Sequence, residues 1–350
     1  GRPRLVAPTT VHAAFRKAAA LLDLDLDLVS VDPATGRPVA SALASRLASD
    51  VALVVVSAPS YPHAAIDPVA DVAAAAQAAG VDVHVDACIG GFALAFWPED
   101  AAGAAPGPWD FAVPGVTSLS ADLHKYGYAP KGVSVLLQRG RDRQRHQWFA
   151  TSSWPGYPVV NATLLGSKSA APLALGIPGF AELTASAAAS TARIVDAIGA
   201  IDGLRVVGTP TGPMIAIAAD ETVAERRVDP HLWADAMGEH GFVVQLQPAS
   251  AQPDGTVLPS TAHVTVTPVT ERVLDDLLVA ARAAADAVRG APHLDGAALA
   301  AQLLGDRPPA LDVLDSAAAV QLLDAAGLLS PDGLGALAPV LALVEALPAP

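Results

Sequence analysis

Lys125 stands in the run Ser120-Ala121-Asp122-Leu123-His124-Lys125-Tyr126-Gly127-Tyr128-Ala129-Pro130-Lys131-Gly132. A lysine directly after a histidine, in a turn that follows an apolar strand, suits Schiff-base chemistry with a carbonyl cofactor such as pyridoxal phosphate. The amine attacks only when neutral, so its surroundings are expected to lower its pKa. Lys131 and His124 are the candidates for that effect, and both are also suitable partners for a phosphate.

Asp86 ends the apolar run of His84-Val85-Asp86-Ala87-Cys88-Ile89-Gly90-Gly91. A carboxylate at the carboxyl end of a parallel strand lies where α/β proteins bind ligands. Beside a pyridoxal ring it would pair with the pyridinium nitrogen and keep the ring an electron sink. The plainer alternative is an Asp that caps the next turn. A metal reading of His84 and Asp86 is possible on a shared strand face. No third ligand stands nearby in sequence and Cys88 is isolated, so no metal is expected.

Three further places could serve such a site. His12, at the start of a helix, could lie flat on a cofactor ring or simply be an exposed helix-start histidine. His63 follows a strand and is a weaker candidate. Gly166-Ser167-Lys168-Ser169 offers N–H groups, hydroxyls and a cation ahead of a helix, either as a phosphate cradle or as a helix cap.

The elements that must hold these residues read as alternating strands and helices. Thr10–Leu22 is expected to be a helix capped by Thr9 or Thr10, and Leu22–Val31 a strand with Asp23, Asp25 and Asp27 on one wet face. Val51–Ser57 and Val81–Asp86 read as buried parallel strands. Asp67–Gly80 reads as a helix, capped by Asp67 and ended by Gly80. Phe111–Leu119 and Val133–Leu137 are expected as strands flanking Lys125. This order predicts a mostly parallel α/β sheet. A second set follows: strands Leu204–Val207 and Met214–Ala218, helix Pro230–His240, strands Phe242–Leu246 and Ala262–Thr267, and helix Glu271–Val288. The expected division is a large domain over 1–200, a small α+β domain over 201–290 and an Ala/Leu/Pro-rich helical tail over 291–350.

The 350 residues are 52% hydrophobic and 16% charged, with much alanine, which favours helix-rich packing. No run of about 20 apolar residues suggests a membrane span. The net charge of −14 argues against a nucleic-acid partner. The single cysteine, Cys88, excludes an internal disulfide and fits a reducing cytoplasm. The chain opens on Gly1 and enters a strand almost at once, so it reads as a piece whose N-terminal portion lies elsewhere.

Together these segments resemble the sphingosine-1-phosphate lyases, a branch of the group II pyridoxal-phosphate-dependent decarboxylases of fold type I. Val6 to Ala18 resembles the stretch with the ring-stacking histidine, His84 to Phe92 the aspartate segment, and Ser120 to Gly132 the cofactor-lysine segment. The similarity runs from about Arg4 to Thr267. His-Val-Asp-Ala and His-Lys are shared by the wider decarboxylases. Cys-Ile-Gly-Gly-Phe and Tyr-Gly-Tyr-Ala-Pro-Lys-Gly are more particular to the lyases.

The resemblance implies that Lys125 forms the Schiff base with pyridoxal 5'-phosphate, Asp86 binds the ring nitrogen, His12 stacks on the ring and His124 approaches the phosphate. It implies that Gly166 and Ser167 reach the phosphate of a neighbouring subunit, hence a homodimer with a shared site. Lys131 becomes a candidate for the substrate phosphate or for proton handling. The implied reaction is a retro-aldol cleavage of phosphorylated sphingoid bases to a long-chain aldehyde and phosphoethanolamine. The family's Gly-Thr phosphate loop lies upstream of Gly1, its Arg-Pro-Gly is replaced by Lys168-Ser169-Ala170, and its membrane anchor is absent. The alternatives are an amino-acid decarboxylase, which would take a carboxylate in place of a phosphate, and a catalytically inactive remnant or partner subunit.

Overall fold

Strand β1 (Arg4–Pro8) is apolar and almost wholly buried, and it pairs in parallel with β2 (Asp25–Val29) on one side and β3 (Val51–Ser57) on the other. The computed structural model describes residues 1–101, 106–153, 155, 158–162, 176–296, 298–299, 324, 329–330, 333–334 and 336–346. Between β1 and β2 lies α1 (Ala13–Leu21). The expected cap at Thr9 or Thr10 is not used; His12 caps the helix, its Nδ1 accepting the Ala14 N–H at 3.2 Å. β2 starts later than expected, and Asp23 falls outside it at φ 54°. Asp27 pairs with Arg4 at 2.6 Å, which explains an acidic residue on this strand.

After β3 come α3 (Val69–Ala79), preceded in the chain by the short α2 (Ala40–Ala44), and then β4 (Val83–Asp86). Gly80 closes α3 at φ 71°, a left-handed cap that suits glycine. Asp67 is not the cap that was expected. Its carboxylate turns back to the sheet and accepts the Ser57 N–H at 2.7 Å. The short α4 (Gly90–Ala93) leaves β4 directly. β5 (Ser118–Asp122) pairs in parallel with β4, and β6 (Ser134–Gln138) pairs antiparallel with β5.

The sheet order is β2-β1-β3-β4-β5-β6. The strand expected over Phe111–Leu119 therefore sits further on. Val113 and Val116 are buried, but in a turn beneath the sheet. The core of this unit gathers Val6, Val54, Val56, Val72, Val83 and Val85, none more than 2% exposed. Removing such valines from water is the main stabilising term here, about 1.5 kcal/mol or more each.

The chain divides into two compact units, residues 1–192 with 208–214, and residues 193–207 with 215–350. The first also holds α5 (Arg141–Gln144) and a hairpin of β7 (Phe149–Thr151) and β8 (Val159–Asn161). Helix α6 (Gly176–Gly199) runs from the first unit into the second. The second unit has a sheet of order β11-β14-β10-β9, from β9 (Leu204–Val206), β10 (Met214–Ala219), β11 (Gln245–Gln247) and β14 (Thr261–Thr265). The small pair β12 (Ser250–Ala251) and β13 (Val257–Leu258) stands apart from it. This unit also holds α7 (Pro230–Glu239), α8 (Leu274–Val288), a strand pair Leu329–Ser330 with Gly333–Leu334, and a last helix Ala338–Ala346. Asp229 caps α7, Pro230 fills its first turn, and Trp233 donates its indole N–H to the Ala281 carbonyl of α8. Among the described residues, no helix is long and apolar enough to cross a membrane.

Candidate functional site

β4 ends at Asp86 and β5 ends at Asp122, so two carboxylates meet at one edge of the parallel region. That edge is the carboxyl end of the strands, the usual ligand edge of an α/β sheet. Asp86 is 7% exposed. Its Oδ1 accepts the Cys88 N–H at 3.1 Å and the Ser120 hydroxyl at 3.4 Å. Among the described residues it has no ion-pair partner. A buried carboxylate without a cation is costly, so this one calls for a positive charge from elsewhere.

Lys125 follows in the turn after β5. Its Nζ lies 3.0 Å from Asp122 Oδ2, an i,i+3 pair, with both side chains partly covered. Asp122 Oδ1 is held in turn by the Ser134 hydroxyl at 2.5 Å. Burial pulls the Lys125 pKa down, but Cys88 and Asp122 beside it outweigh this and the net shift is upward. The expectation of a lowered pKa is therefore reversed. The causes are Cys88 first and Asp122 next, and the sequence reading used neither in this way. The Cys88 thiol is pushed up to about 12 by burial and by Asp86, so it is uncharged at neutral pH.

His124 is turned away from a free role. Its Nδ1 lies 2.8 Å from the Val133 carbonyl and its Nε2 3.7 Å from Asp122. Lys131 is exposed, and it makes no ion pair with another described residue. His12 is exposed and engaged with its own helix. His63 is 4% exposed, and burial pushes it down to about 4. Gly166, Ser167 and Lys168–Ala170 lie outside the described residues.

Several contacts here go beyond the sequence reading, which named His84 only as a possible metal ligand and His63 only as a weaker candidate. His84, Ser118 and Ser120 line one strand face with Asp86. Tyr128, at φ 53°, buries its hydroxyl without a partner among the described residues, and Thr10, Ser60 and His63 do the same with a polar side-chain atom each. The period-two spacing of Ser118, Ser120 and Asp122 was the available signal. A recess of about 850 Å³ lies elsewhere; Trp97, Trp109, Leu119 and Val135 line it.

Residues 1–150 match the model of the pyridoxal-dependent decarboxylase conserved domain. These residues and those after them are similar to curated sphingosine-1-phosphate lyases. Identity is 36% over 227 residues with the Dictyostelium discoideum protein, covering 63% of this chain and 43% of the relative. It is 31% over 299 residues with the Arabidopsis thaliana protein, covering 83% and 52%. The chain thus spans about half the length of these relatives or less. Among solved structures, the Burkholderia pseudomallei sphingosine-1-phosphate lyase aligns with a TM-score of 0.71 at 30% identity, over 81% of this chain and 63% of that one. A glutamate decarboxylase of Lactobacillus brevis aligns with a TM-score of 0.70 at 18% identity, over 84% and 68%, which speaks for the fold alone.

The matched family model is of pyridoxal-dependent enzymes, and the residues present fit pyridoxal phosphate. An uncompensated buried carboxylate matches a protonated ring nitrogen. A lysine amine on the neighbouring strand end matches an aldehyde. The unpartnered buried polar atoms of Thr10, Ser60, His63 and Tyr128 can supply further hydrogen bonds at loops after the strands.

Proposed function

We propose that this chain carries the catalytic core of a pyridoxal-phosphate carbon–carbon lyase that cleaves phosphorylated sphingoid bases to a long-chain aldehyde and phosphoethanolamine. The observation that supports it most is the placing of Asp86 at the end of β4 and of Lys125 in the turn after the neighbouring β5, within a stretch 31–36% identical to sphingosine-1-phosphate lyases. Lys125 is the covalent anchor for the cofactor, and Asp86 holds the ring nitrogen. When bound, the pyridinium ring supplies the electron sink for the pair left by the broken Cα–Cβ bond.

The remaining roles belong to the same proposal. His12 lies over the ring, which requires its imidazole to leave the cap of α1. His124 sits beside the cofactor phosphate. Asp122 keeps Lys125 as an ammonium until cofactor arrives, and the released amine then handles protons at the substrate carbon. Lys131, exposed on the β5–β6 turn, is the cation for a substrate phosphate. The working form in this proposal is a homodimer with a shared site, to which the segment of Gly166 and Ser167 contributes, and its compartment is the cytoplasm.

The test is product analysis with the cofactor-loaded chain. Aldehyde release from sphingosine-1-phosphate, lost in Lys125→Ala, supports the proposal. Carbon dioxide release from an amino acid with no aldehyde would replace it with a decarboxylase. A chain that forms no covalent adduct at Lys125 would be a non-catalytic remnant.

A further inference from the structure

His84 and Asp86 alternate along β4, and Ser118 and Ser120 alternate along β5, so the four side chains share one face of the sheet. The register sets His84 against Ser118 and Asp86 against Ser120. His84 Nδ1 lies 2.9 Å from Ser118 Oγ, and Nε2 lies 3.1 Å from Ser120 Oγ. Ser120 Oγ lies 3.4 Å from Asp86 Oδ1, a long bond but within reach. The Phe15 ring of α1 leans on the imidazole with centroids 5.6 Å apart and helps fix its plane.

Hydrogen counting gives this chain a direction. Asp86 as a carboxylate only accepts, so Ser120 must donate to it. The one hydroxyl proton of Ser120 is then used, and its oxygen must accept from His84 Nε2–H. A neutral imidazole has one N–H, so Nδ1 is bare and accepts from the Ser118 hydroxyl. Every donor therefore points toward Asp86. Burial pushes His84 down, with Asp86 opposing, which keeps the ring neutral as the count requires.

We propose that Ser118, His84 and Ser120 are positioning residues forming a one-way hydrogen-bond relay that orients the Asp86 carboxylate for the cofactor's ring nitrogen. This rests on the role given to Asp86 above. The physical reason is that Asp86 is buried without a cation among the described residues, so the hydrogen bonds it accepts fix where it points. The relay supplies one such bond and the Cys88 N–H supplies another.

The experiment has two arms on the full chain. In the first, nitrogen-15 spectra of His84 without cofactor are expected to show the neutral ring protonated at Nε2. Ser120→Ala should release that preference, and Ser120→Thr, which keeps the hydroxyl, should restore it. A ring protonated at Nδ1, or at both nitrogens near neutral pH, would overturn the relay whether or not the chain takes up cofactor. In the second, pyridoxal phosphate is titrated. Ser120→Ala should weaken binding by roughly 10- to 100-fold, the range for a hydrogen bond to a charged group. Ser120→Thr and His84→Gln, which keep a donor at each step, should recover most of it. Equal affinity in wild type and Ser120→Ala would overturn the positioning role. The Lys125→Ala protein separates this from the proposed function, since losing the covalent link leaves the His84 spectrum unchanged.

Discussion

Asp122 Oδ2 sits 3.0 Å from Lys125 Nζ, and the same carboxylate is braced through Oδ1 by Ser134. The Lys125 amine is thus held in an ion pair. Because Asp122 favours the ammonium, Asp122→Asn should lower the Lys125 pKa and enlarge the neutral fraction near pH 8. Capture of pyridoxal phosphate at Lys125, trapped by borohydride and counted by mass spectrometry, should then run several-fold faster, with a ceiling of roughly tenfold per pKa unit. A slower or unchanged rate would mean that Asp122 serves the lysine in some other way.

His63 and Asp67 should impose opposite pH slopes on stability. Burial raises Asp67 to about 7, against 3.8 in an open chain, so its share is complete below pH 3.8 and lost as pH rises through 7. Burial lowers His63 to about 4, against 6.5, so its share is complete above pH 6.5 and lost as pH falls through 4. Between pH 4 and 6.5 the two offset each other and the wild-type profile should be nearly flat. Asp67→Asn should make unfolding temperature climb with pH across that window, and His63→Gln should make it fall. Parallel profiles for the two variants would contradict this.

Gly90→Ala should be among the more damaging single changes in the first unit. A Cβ there would stand 1.9 Å from the Ala58 carbonyl oxygen, which is backbone and cannot swing aside. Urea midpoints should drop by an amount at or above the usual overpacking range of about 1–3 kcal/mol. Gly80→Ala, whose new Cβ meets nothing within 4 Å but whose φ is 71°, should cost less and serve as the comparison.

Cys88 should be a slow thiol. Burial and Asp86 push it up to about 12, so little thiolate exists at pH 8. Iodoacetamide labelling, followed by mass spectrometry, should lag far behind that of the unfolded chain. Asp86→Asn removes one cause of the shift and should speed it. Labelling of native Cys88 at the unfolded rate would refute the buried, uncharged thiol.

The buried parallel strands β3 and β4 were legible because continuous Val-rich runs have few other uses. Asp86 and Lys125 stand out in the sequence because their types suit cofactor chemistry, and the structure sets Asp86 at the end of β4 and Lys125 in the turn after β5. β5 was misplaced because Phe111, Val113 and Val116 are apolar for burial in a turn, and Pro114-Gly115 between them was the overlooked turn signal. Asp67 was misread as a cap because an Asp before Pro at a helix start usually is one. Here the nearby Ser57 N–H, at the end of β3, takes its carboxylate instead. The Asp122–Lys125 pair and the His84 chain depend on which strands are neighbours, and that is tertiary information.

The pairing of Asp86 with Ser120 across β4 and β5 makes strand alignment itself part of the proposed site. Sliding β5 by one residue would turn Leu119 and Ala121 toward Asp86 and send both serines to the opposite face. The ladder could keep its backbone bonds, and circular dichroism would report a native-looking protein. Such a misthreaded molecule would still carry Lys125 on its turn, yet Asp86 would face only methyl groups. Recombinant preparations should therefore be judged by cofactor uptake per chain, since shape alone cannot distinguish a working molecule from a mute one.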